Sequence, residues 1–177
     1  GSWLARYFRG QCERVVINDI AGPLDGFPFA PDLAPAVRDA DVIVVATSMS
    51  AAVDVLRSVA ARRPAGLVLD ICSLKAPVRE ALLEAARAGL RVASVHPMFG
   101  PNTRTLSDHV VCICDCGAAL ATQQVRAFFA DTAATLVDLS FDEHDRIVSF
   151  ILGLSHLTSL LFVRVLMRSG KSLDALN

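Results

Sequence analysis

The sequence predicts an α/β fold built on a doubly wound parallel sheet, followed by a helical unit. Short apolar runs alternate with stretches of helical length through residues 1–140, as in strand–helix–strand units. The run at residues 42–46 is continuous and mostly β-branched, which indicates a strand covered on both faces. Near Ser140 the alternation stops and one long apolar segment follows, so we place a domain boundary there.

Glycine and proline mark the ends of the predicted elements. A first helix ends at Gly10, and Gly66 precedes a short strand. Pro77 suits the first turn of a helix that ends at Gly89. The predicted strands are 15–18, 42–46, 67–69, 92–95, 109–113 and 135–139, and the predicted helices are 2–9, 32–39, 51–61, the Pro77 helix to about 88, 118–131 and 141–168.

Composition limits the partners of the chain. Its 177 residues are 53% apolar, enough for one domain and part of another. A formal net charge of −1 without a Lys/Arg run argues against nucleic acid. The segment 147–167 has membrane-helix length, but it contains His156 and Arg164, so no membrane is expected. A helix this apolar predicts a homodimer formed through residues 141–168.

Five cysteines without a signal peptide predict reduced thiols in a cytoplasmic protein. Cys112, Cys114 and Cys116 alternate with other residues, so on a strand they would share one face. Zinc sites favour a different cysteine spacing. We therefore predict that these thiols pack in the core and bind no metal.

Two polar motifs follow neighbouring predicted strands. Asp70-x-x-Ser73-x-Lys75 comes after strand 67–69, and His96-Pro97-Met98-Phe99-Gly100-Pro101 comes after strand 92–95. Ligands of open α/β sheets bind where the strands end. We expect Ser73, Lys75 and His96 to lie on one rim and act on a single small molecule.

These motifs resemble the prephenate dehydrogenase family, and the resemblance covers nearly the whole chain. The family order is an acidic residue after a strand, an Asp-x-x-Ser-x-Lys loop, a His-Pro-Met loop and a helix with Ser-His. Here these are Asp19, the Asp70 loop, the His96 loop and Ser155-His156. The resemblance implies a Rossmann-type sheet, then the start of an all-helical dimerisation domain.

The resemblance also implies a reaction, the NAD-dependent oxidative decarboxylation of prephenate to 4-hydroxyphenylpyruvate in tyrosine biosynthesis. Hydride passes from the hydroxyl-bearing carbon to nicotinamide, CO₂ leaves and the ring becomes aromatic. His96 matches the catalytic histidine that relieves the hydroxyl of its proton. Its alternative role is structural, beneath the proline turn. Ser73 corresponds to a serine near the nicotinamide and the substrate hydroxyl.

The cofactor side is expected to use Gly1, Asp19, Thr47, Ser48, Asp70 and Lys75. Gly1 is interpreted as the last glycine of a Gly-x-Gly-x-x-Gly fingerprint, or alternatively as a cloning remnant. Asp19 would bind the adenosine ribose and favour NAD over NADP, unless it only forms a turn. Lys75 could instead cap a helix or form an ion pair. Residues 1–140 are thus a dinucleotide-binding domain lacking its first strand and most of the Gly-rich loop, and the chain is expected to be a fragment.

The substrate side is expected to include Asn102, Ser155, His156 and Ser159. Ser159 stands where the family has a second histidine, and a structural role for His156 remains open. His144 matches a family position, but the sequence assigns it no chemistry. Residues 141–177 are the start of the helical substrate and dimerisation domain. Alternatives are arogenate or 4-amino-4-deoxyprephenate as the substrate, a non-catalytic regulatory module of the same fold, and a different small-molecule dehydrogenase.

Overall fold

The computed structural model describes residues 1–170, which contain a five-stranded sheet with helices on both faces. The predicted α/β fold is confirmed, and the expectations for residues 171–177 lie outside the described part. The strands are β1 Val42–Val45, β2 Leu67–Asp70, β3 Val92–Pro97, β4 Val110–Cys114 and β5 Thr135–Leu139. The helices are α1 Ser2–Arg9, α2 Leu33–Arg38, α3 Met49–Ala61, α4 Ala76–Arg87, α5 Ala119–Phe128 and α6 Phe141–Arg168.

The sheet is mixed, whereas the sequence predicted a wholly parallel one. Its strands lie in chain order, and β1, β2 and β3 run parallel. Strand β4 is antiparallel to β3 and parallel to β5. The reason lies in the connection at residues 98–109, which contains no helix. A parallel neighbour normally needs a helical crossover, whereas a loop can return the chain alongside in the opposite direction.

The strand predicted at residues 15–18 does not form. Ile17 makes one isolated bridge with Phe29, through backbone hydrogen bonds from Ile17 to Pro28 and from Ala30 to Ile17. The five-stranded sheet begins at β1 and contains no earlier segment. A β-branched run reads as a strand from its pattern, but it becomes one only beside a partner for its backbone groups.

Two apolar cores cover the two faces of the sheet. Val45, Val68 and Val92 face α3 and α4, whereas Leu67, Leu69 and Val95 face α1 and α5. Gly66 lets β1 and β2 approach at their amino ends. A Cβ there would lie 2.1 Å from the Ala40 carbonyl oxygen, so a side chain would force the strands apart.

The three clustered cysteines lie inside the protein, as the sequence predicted. Cys112, Cys114 and Cys116 are all buried. Burial raises the pKa of the Cys114 and Cys116 thiols to about 12, so they stay protonated and pack as small apolar groups. Residues 1–170 hold no group of three or more His, Cys, Asp or Glu side chains that could bind a metal.

Helix α6 is buried at its start and exposed along the rest of its length. Ser140 begins it with a capping box, in which Ser140 and Glu143 exchange hydrogen bonds. Phe141, His144 and Val148 pack against the domain, while most side chains beyond Val148 are exposed. Among the described residues, α6 is the one helix whose length and composition would allow it to cross a membrane.

Candidate functional site

Three loops of the predicted site meet at one edge of the sheet. Val45, Asp70 and Ser94 are register partners, so β1 and β2 end level with the middle of β3. His96 lies two residues farther along β3. Thr47 and Ser48 follow β1, and exposed Ser73 follows β2. The carboxyl edge of the parallel strands therefore collects the side chains expected to serve one ligand.

Asp70 and Lys75 form a fully buried ion pair beneath this edge. The Lys75 ammonium donates to Asp70 Oδ2 at 3.0 Å and to the Val95 carbonyl oxygen at 2.8 Å. Asp70 Oδ2 also accepts the Cys72 N–H at 2.8 Å. Neither Asp70 nor Lys75 is exposed, so in this structure neither side chain reaches a surface where a cofactor could bind. The geometry favours the ion-pair role that the sequence left open for Lys75.

His96 belongs to a chain of three polar side chains that joins β3 to α6. His96 Nδ1 lies 2.9 Å from His144 Nε2, and His144 Nδ1 lies 2.8 Å from Asp145 Oδ1. His96 is 4% exposed and His144 is fully buried. Asp145 also accepts the backbone N–H groups of Lys75 at 2.8 Å and Ala76 at 2.6 Å. The start of α6 is thereby tied to the start of α4.

The outer nitrogen of His96 is free to accept a proton. Within residues 1–170, the buried side-chain polar atoms without a hydrogen bond are Asp70 Oδ1 and Ser94 Oγ. His96 Nε2 makes no hydrogen bond in the same part of the chain and is not among these atoms, so it keeps contact with solvent. An unbonded imidazole nitrogen in contact with solvent is suited to general base chemistry.

The electrostatic surroundings keep both imidazoles neutral. Burial, together with the neighbouring His144 and Lys75, lowers the pKa of His96 from 6.5 to about 4. Burial also lowers the pKa of His144, against the hydrogen bond to Asp145, which acts in the opposite direction. The unfolded chain therefore binds a proton at His96 more readily between about pH 4 and 6.5. This group accordingly lowers the free energy of unfolding as the pH falls through that range.

Asp145 keeps its negative charge at neutral pH. Burial raises its pKa, but hydrogen bonds from the Lys75 N–H, the His144 ring and the Ala76 N–H outweigh that effect. The net result is a lowered pKa. A carboxylate with these donors is an acceptor only, which fixes the direction of its bond to His144.

Gly1, at the amino end of α1, lies exposed beside the loop after β1, and we call this place the cradle around Gly1. A Cβ on Gly1 would lie 3.4 Å from Ala46 Cβ, so this helix end lies against the loop after β1. The Asp19 carboxylate acts electrostatically on Gly1, which places Asp19 near this helix end. Asp19 Oδ1 also accepts the Ala21 N–H at 2.8 Å, as in a turn. A close backbone, a helix amino end and a carboxylate fit the pyrophosphate and ribose of a dinucleotide.

The loop after His96 lies over the first turn of α1. The Phe99 and Trp3 rings are 4.8 Å apart, and Trp3 Nε1 donates to the Thr103 carbonyl oxygen at 2.8 Å. Asn102 lies exposed in the same loop. These contacts bring the His96 loop next to the helix that begins at Gly1. The loop that follows His96 and the cradle around Gly1 thus lie at the same end of α1.

Three expected substrate residues lie elsewhere, on the exposed part of α6. His156 follows His144 by about 18 Å along the helix axis, at 1.5 Å per residue. Ser155 and Ser159 donate their hydroxyls to carbonyl oxygens of Leu152 and Ser155 in their own helix. The structure does not bring these three side chains to His96, and their role stays a prediction.

The contribution of His144 and Asp145 was not predicted from the sequence. A His-Asp pair just after Asp142 and Glu143 is typical of an ordinary helix start rich in favourable acidic residues. A signal was nevertheless present, because His144 falls one turn after the Ser140 cap, on the same face as buried Phe141 and Val148. A histidine on a buried helix face needs a polar partner inside the protein.

Sequence comparisons relate the chain to a known family of proteins. The family model described as "Prephenate dehydrogenase, nucleotide-binding domain" matches residues 26–138. The chain is 29% identical over 167 residues to the "Probable arogenate/prephenate dehydrogenase" of Methanocaldococcus jannaschii, covering 88% of this chain and 37% of that protein. It is 26% identical over 146 residues to the T-protein of Enterobacter agglomerans, covering 82% of this chain and 39% of the other. The chain therefore spans less than two fifths of these relatives.

Solved structures show the same fold. A Corynebacterium glutamicum protein assigned as a prephenate dehydrogenase superposes with a TM-score of 0.75 at 20% identity, covering 99% of this chain and 62% of the other. An imine reductase from Myxococcus stipitatus in complex with NADP⁺ gives 0.73 at 18% identity, covering 98% and 65%. A variant of the same enzyme in complex with NAD⁺ gives 0.72 at 18% identity, covering 98% and 64%. At these identities the superpositions concern the fold alone.

Proposed function

Because this chain belongs to the prephenate dehydrogenase family, we propose that it is the nucleotide-binding part of an enzyme that oxidatively decarboxylates prephenate with NAD. The observation that carries this proposal is that the loop after His96 and the cradle around Gly1 lie at the same end of α1, beside the carboxyl ends of the parallel strands. The cysteines of the described residues are free thiols, and four of the five are buried. Free thiols suit the reducing cytoplasm, where we place the enzyme.

In the proposed mechanism His96 is the proton acceptor. Its neutral Nε2 would accept the proton of the substrate hydroxyl as the carbonyl forms. Ser73, on the adjacent loop, would donate or accept a hydrogen bond at the same hydroxyl. The His96 ring is buried on the side that faces His144, so the substrate could approach it only at Nε2. This single approach would orient the substrate hydroxyl toward Nε2.

The cofactor would lie along the edge from Asp19 to His96. Asp19 would accept hydrogen bonds from the adenosine ribose, and the backbone at Gly1 would approach the pyrophosphate. Thr47 and Ser48 follow β1 beside that cradle and would contact the middle of the cofactor. When bound, the nicotinamide would accept the hydride that leaves the substrate ring.

The test of the proposed function is an assay of NAD reduction with the complete protein. Prephenate, arogenate and 4-amino-4-deoxyprephenate are each supplied with NAD and with NADP. We expect turnover with prephenate and NAD to exceed every other combination. Turnover with only one of the amino analogues would show that this analogue, and not prephenate, is the substrate. Absence of turnover with all three compounds would favour a non-catalytic regulatory module.

Asp19 is predicted to set the preference for NAD. Replacing Asp19 with asparagine keeps an oxygen for the Ala21 N–H but removes the charge that repels a 2′-phosphate. We expect the ratio of kcat/KM for NAD to that for NADP to fall by about 10–100-fold, the value of a hydrogen bond to a charged group. Asp25→Asn, an exposed change in the same loop, serves as the control. An unchanged ratio in Asp19→Asn would leave Asp19 as a turn residue only.

We also propose that the exposed part of α6 forms a homodimer. Leu154, Leu161 and Phe162 are each more than half exposed on a helix whose start is docked against α4. Such an apolar surface is rarely left in water, and Arg164 within it argues against a membrane. Light scattering of the complete protein should give twice the mass of one chain. Leu154→Glu should shift the protein toward monomer, whereas Leu120→Glu, at an exposed leucine of α5, should not.

A further inference from the structure

We propose that His144 is a positioning residue that holds His96 in a single tautomer, with the proton on Nδ1 and a free lone pair on Nε2. The inference rests on the proposed function, because it gives the proton acceptor of that reaction its orientation. It concerns a residue to which the sequence assigned no role. It follows from the direction of two consecutive hydrogen bonds, from His144 to Asp145 and from His96 to His144.

Asp145 sets the donor-to-acceptor direction of these hydrogen bonds. Its carboxylate accepts two backbone N–H groups, from Lys75 and Ala76, so Asp145 acts as an acceptor. His144 Nδ1, 2.8 Å from the same carboxylate, must therefore carry the proton and donate it. A neutral His144 then has its lone pair on Nε2.

The second bond follows from the first. His144 Nε2 lies 2.9 Å from His96 Nδ1, and a lone pair there can only accept. His96 Nδ1 must then carry the proton, which leaves the lone pair of a neutral His96 on Nε2. The reverse arrangement would set the lone pair of His144 Nδ1 against a carboxylate oxygen, which is repulsive.

The charged groups around the two rings favour the neutral pair. Lys75 lies near both imidazoles, and Asp70, which also acts on His144, is paired with the Lys75 ammonium. If both imidazoles were protonated, with their facing nitrogens 2.9 Å apart, they would repel each other and the Lys75 ammonium. On the neighbouring strand β4, Cys112 is the register partner of His96. Burial raises the pKa of the Cys112 thiol, so β4 presents no charge to His96 at this position.

The backbone holds the far end of this chain of bonds rigidly. Asp145 is bonded to the first residues of α4, and His144 is fully buried between α6 and the sheet. Removing the partner that orients a metal-bound histidine typically lowers activity by about 10–100-fold, and we expect an effect of the same size at His96. His144 is thus expected to act on turnover without contacting the substrate.

Two variants of His144 separate this role from simple packing. In His144→Gln the side-chain carbonyl can occupy the place of Nε2 and still accept the His96 Nδ1–H. In His144→Asn the shorter amide can bond to Asp145 but cannot reach His96. We expect kcat of the complete enzyme to fall about 10–100-fold more in His144→Asn than in His144→Gln. The dissociation constant of NAD should stay unchanged in both.

Nitrogen-15 NMR of His96 supplies a measurement that needs no turnover. In the wild type and in His144→Gln, Nδ1 should give the shift of a protonated nitrogen and Nε2 that of an unprotonated one. In His144→Asn the proton should move to Nε2 in a substantial fraction of molecules. A wild-type His96 with its proton on Nε2 would overturn the proposal, as would equal kcat and equal tautomers in the two variants.

These outcomes also distinguish the two proposals. A wild-type enzyme that turns over none of the three substrates would contradict the proposed function. The tautomer of His96 would still decide whether His144 positions it. Wild-type spectra alone suffice if a variant fails to fold.

Discussion

Replacing His96 with asparagine in the complete enzyme is expected to lower turnover by about 10²–10⁴-fold, the range for loss of an acid–base catalyst. Asparagine can still bond to His144 but presents no basic nitrogen to the substrate hydroxyl. The NAD dissociation constant should be nearly unchanged, because the cradle at Gly1 and Asp19 is untouched. Steady-state kinetics and a cofactor titration measure the two effects separately.

His109→Asn is the matched control for this variant. His109 stands just before β4 and lies beside the Phe99 ring, away from the His96–His144 contact. Its replacement should change turnover by no more than about twofold, since no proton transfer is assigned to it. Near-normal turnover of His96→Asn would remove His96 from the mechanism.

The same residue predicts the acid side of the pH profile. Because the pKa of His96 is lowered to about 4, its Nε2 lone pair persists well below the usual histidine range. Turnover should therefore hold down to about pH 5 and fall as the pH drops through about 4, where the ring becomes protonated. An acid limb near pH 6.5 would indicate an unshifted histidine instead.

The second large effect concerns stability. Lys75→Met should lower the free energy of unfolding by about 3–5 kcal/mol, because it leaves the buried Asp70 carboxylate without its counter-charge. It also removes the donor to the Val95 carbonyl oxygen. Urea denaturation monitored by circular dichroism measures the loss.

Two further variants test the cause of that loss. Adding Asp70→Asn to Lys75→Met removes the unpaired charge, so the double variant should be more stable than Lys75→Met alone. Arg87→Met breaks the exposed pair of Arg87 with Glu80, also 3.0 Å long, and should change stability by less than about 1 kcal/mol. Equal losses for Arg87→Met and Lys75→Met would show that burial of the pair is not decisive.

Much of the fold could be predicted because its elements carry local signals. Five of the six predicted strands form, and α6 spans the same residues as expected. The prediction of a strand at 15–18 was wrong because pairing depends on a neighbour that no local pattern reveals. The predicted parallel direction of β4 was wrong for a related reason, since the direction is set by the connection at 98–109 and not by the strand itself.

By itself, the sequence determined that His96 and Ser73 lie at the ends of neighbouring strands, because apolar runs and their polar ends are local features of the chain. Only the tertiary structure decided what lies behind them. Lys75 turns inward to Asp70, and His144 comes from 48 residues away to meet His96. The contact between His144 and His96 depends on how α6 packs across the sheet, and packing between distant segments leaves no periodic trace in the chain.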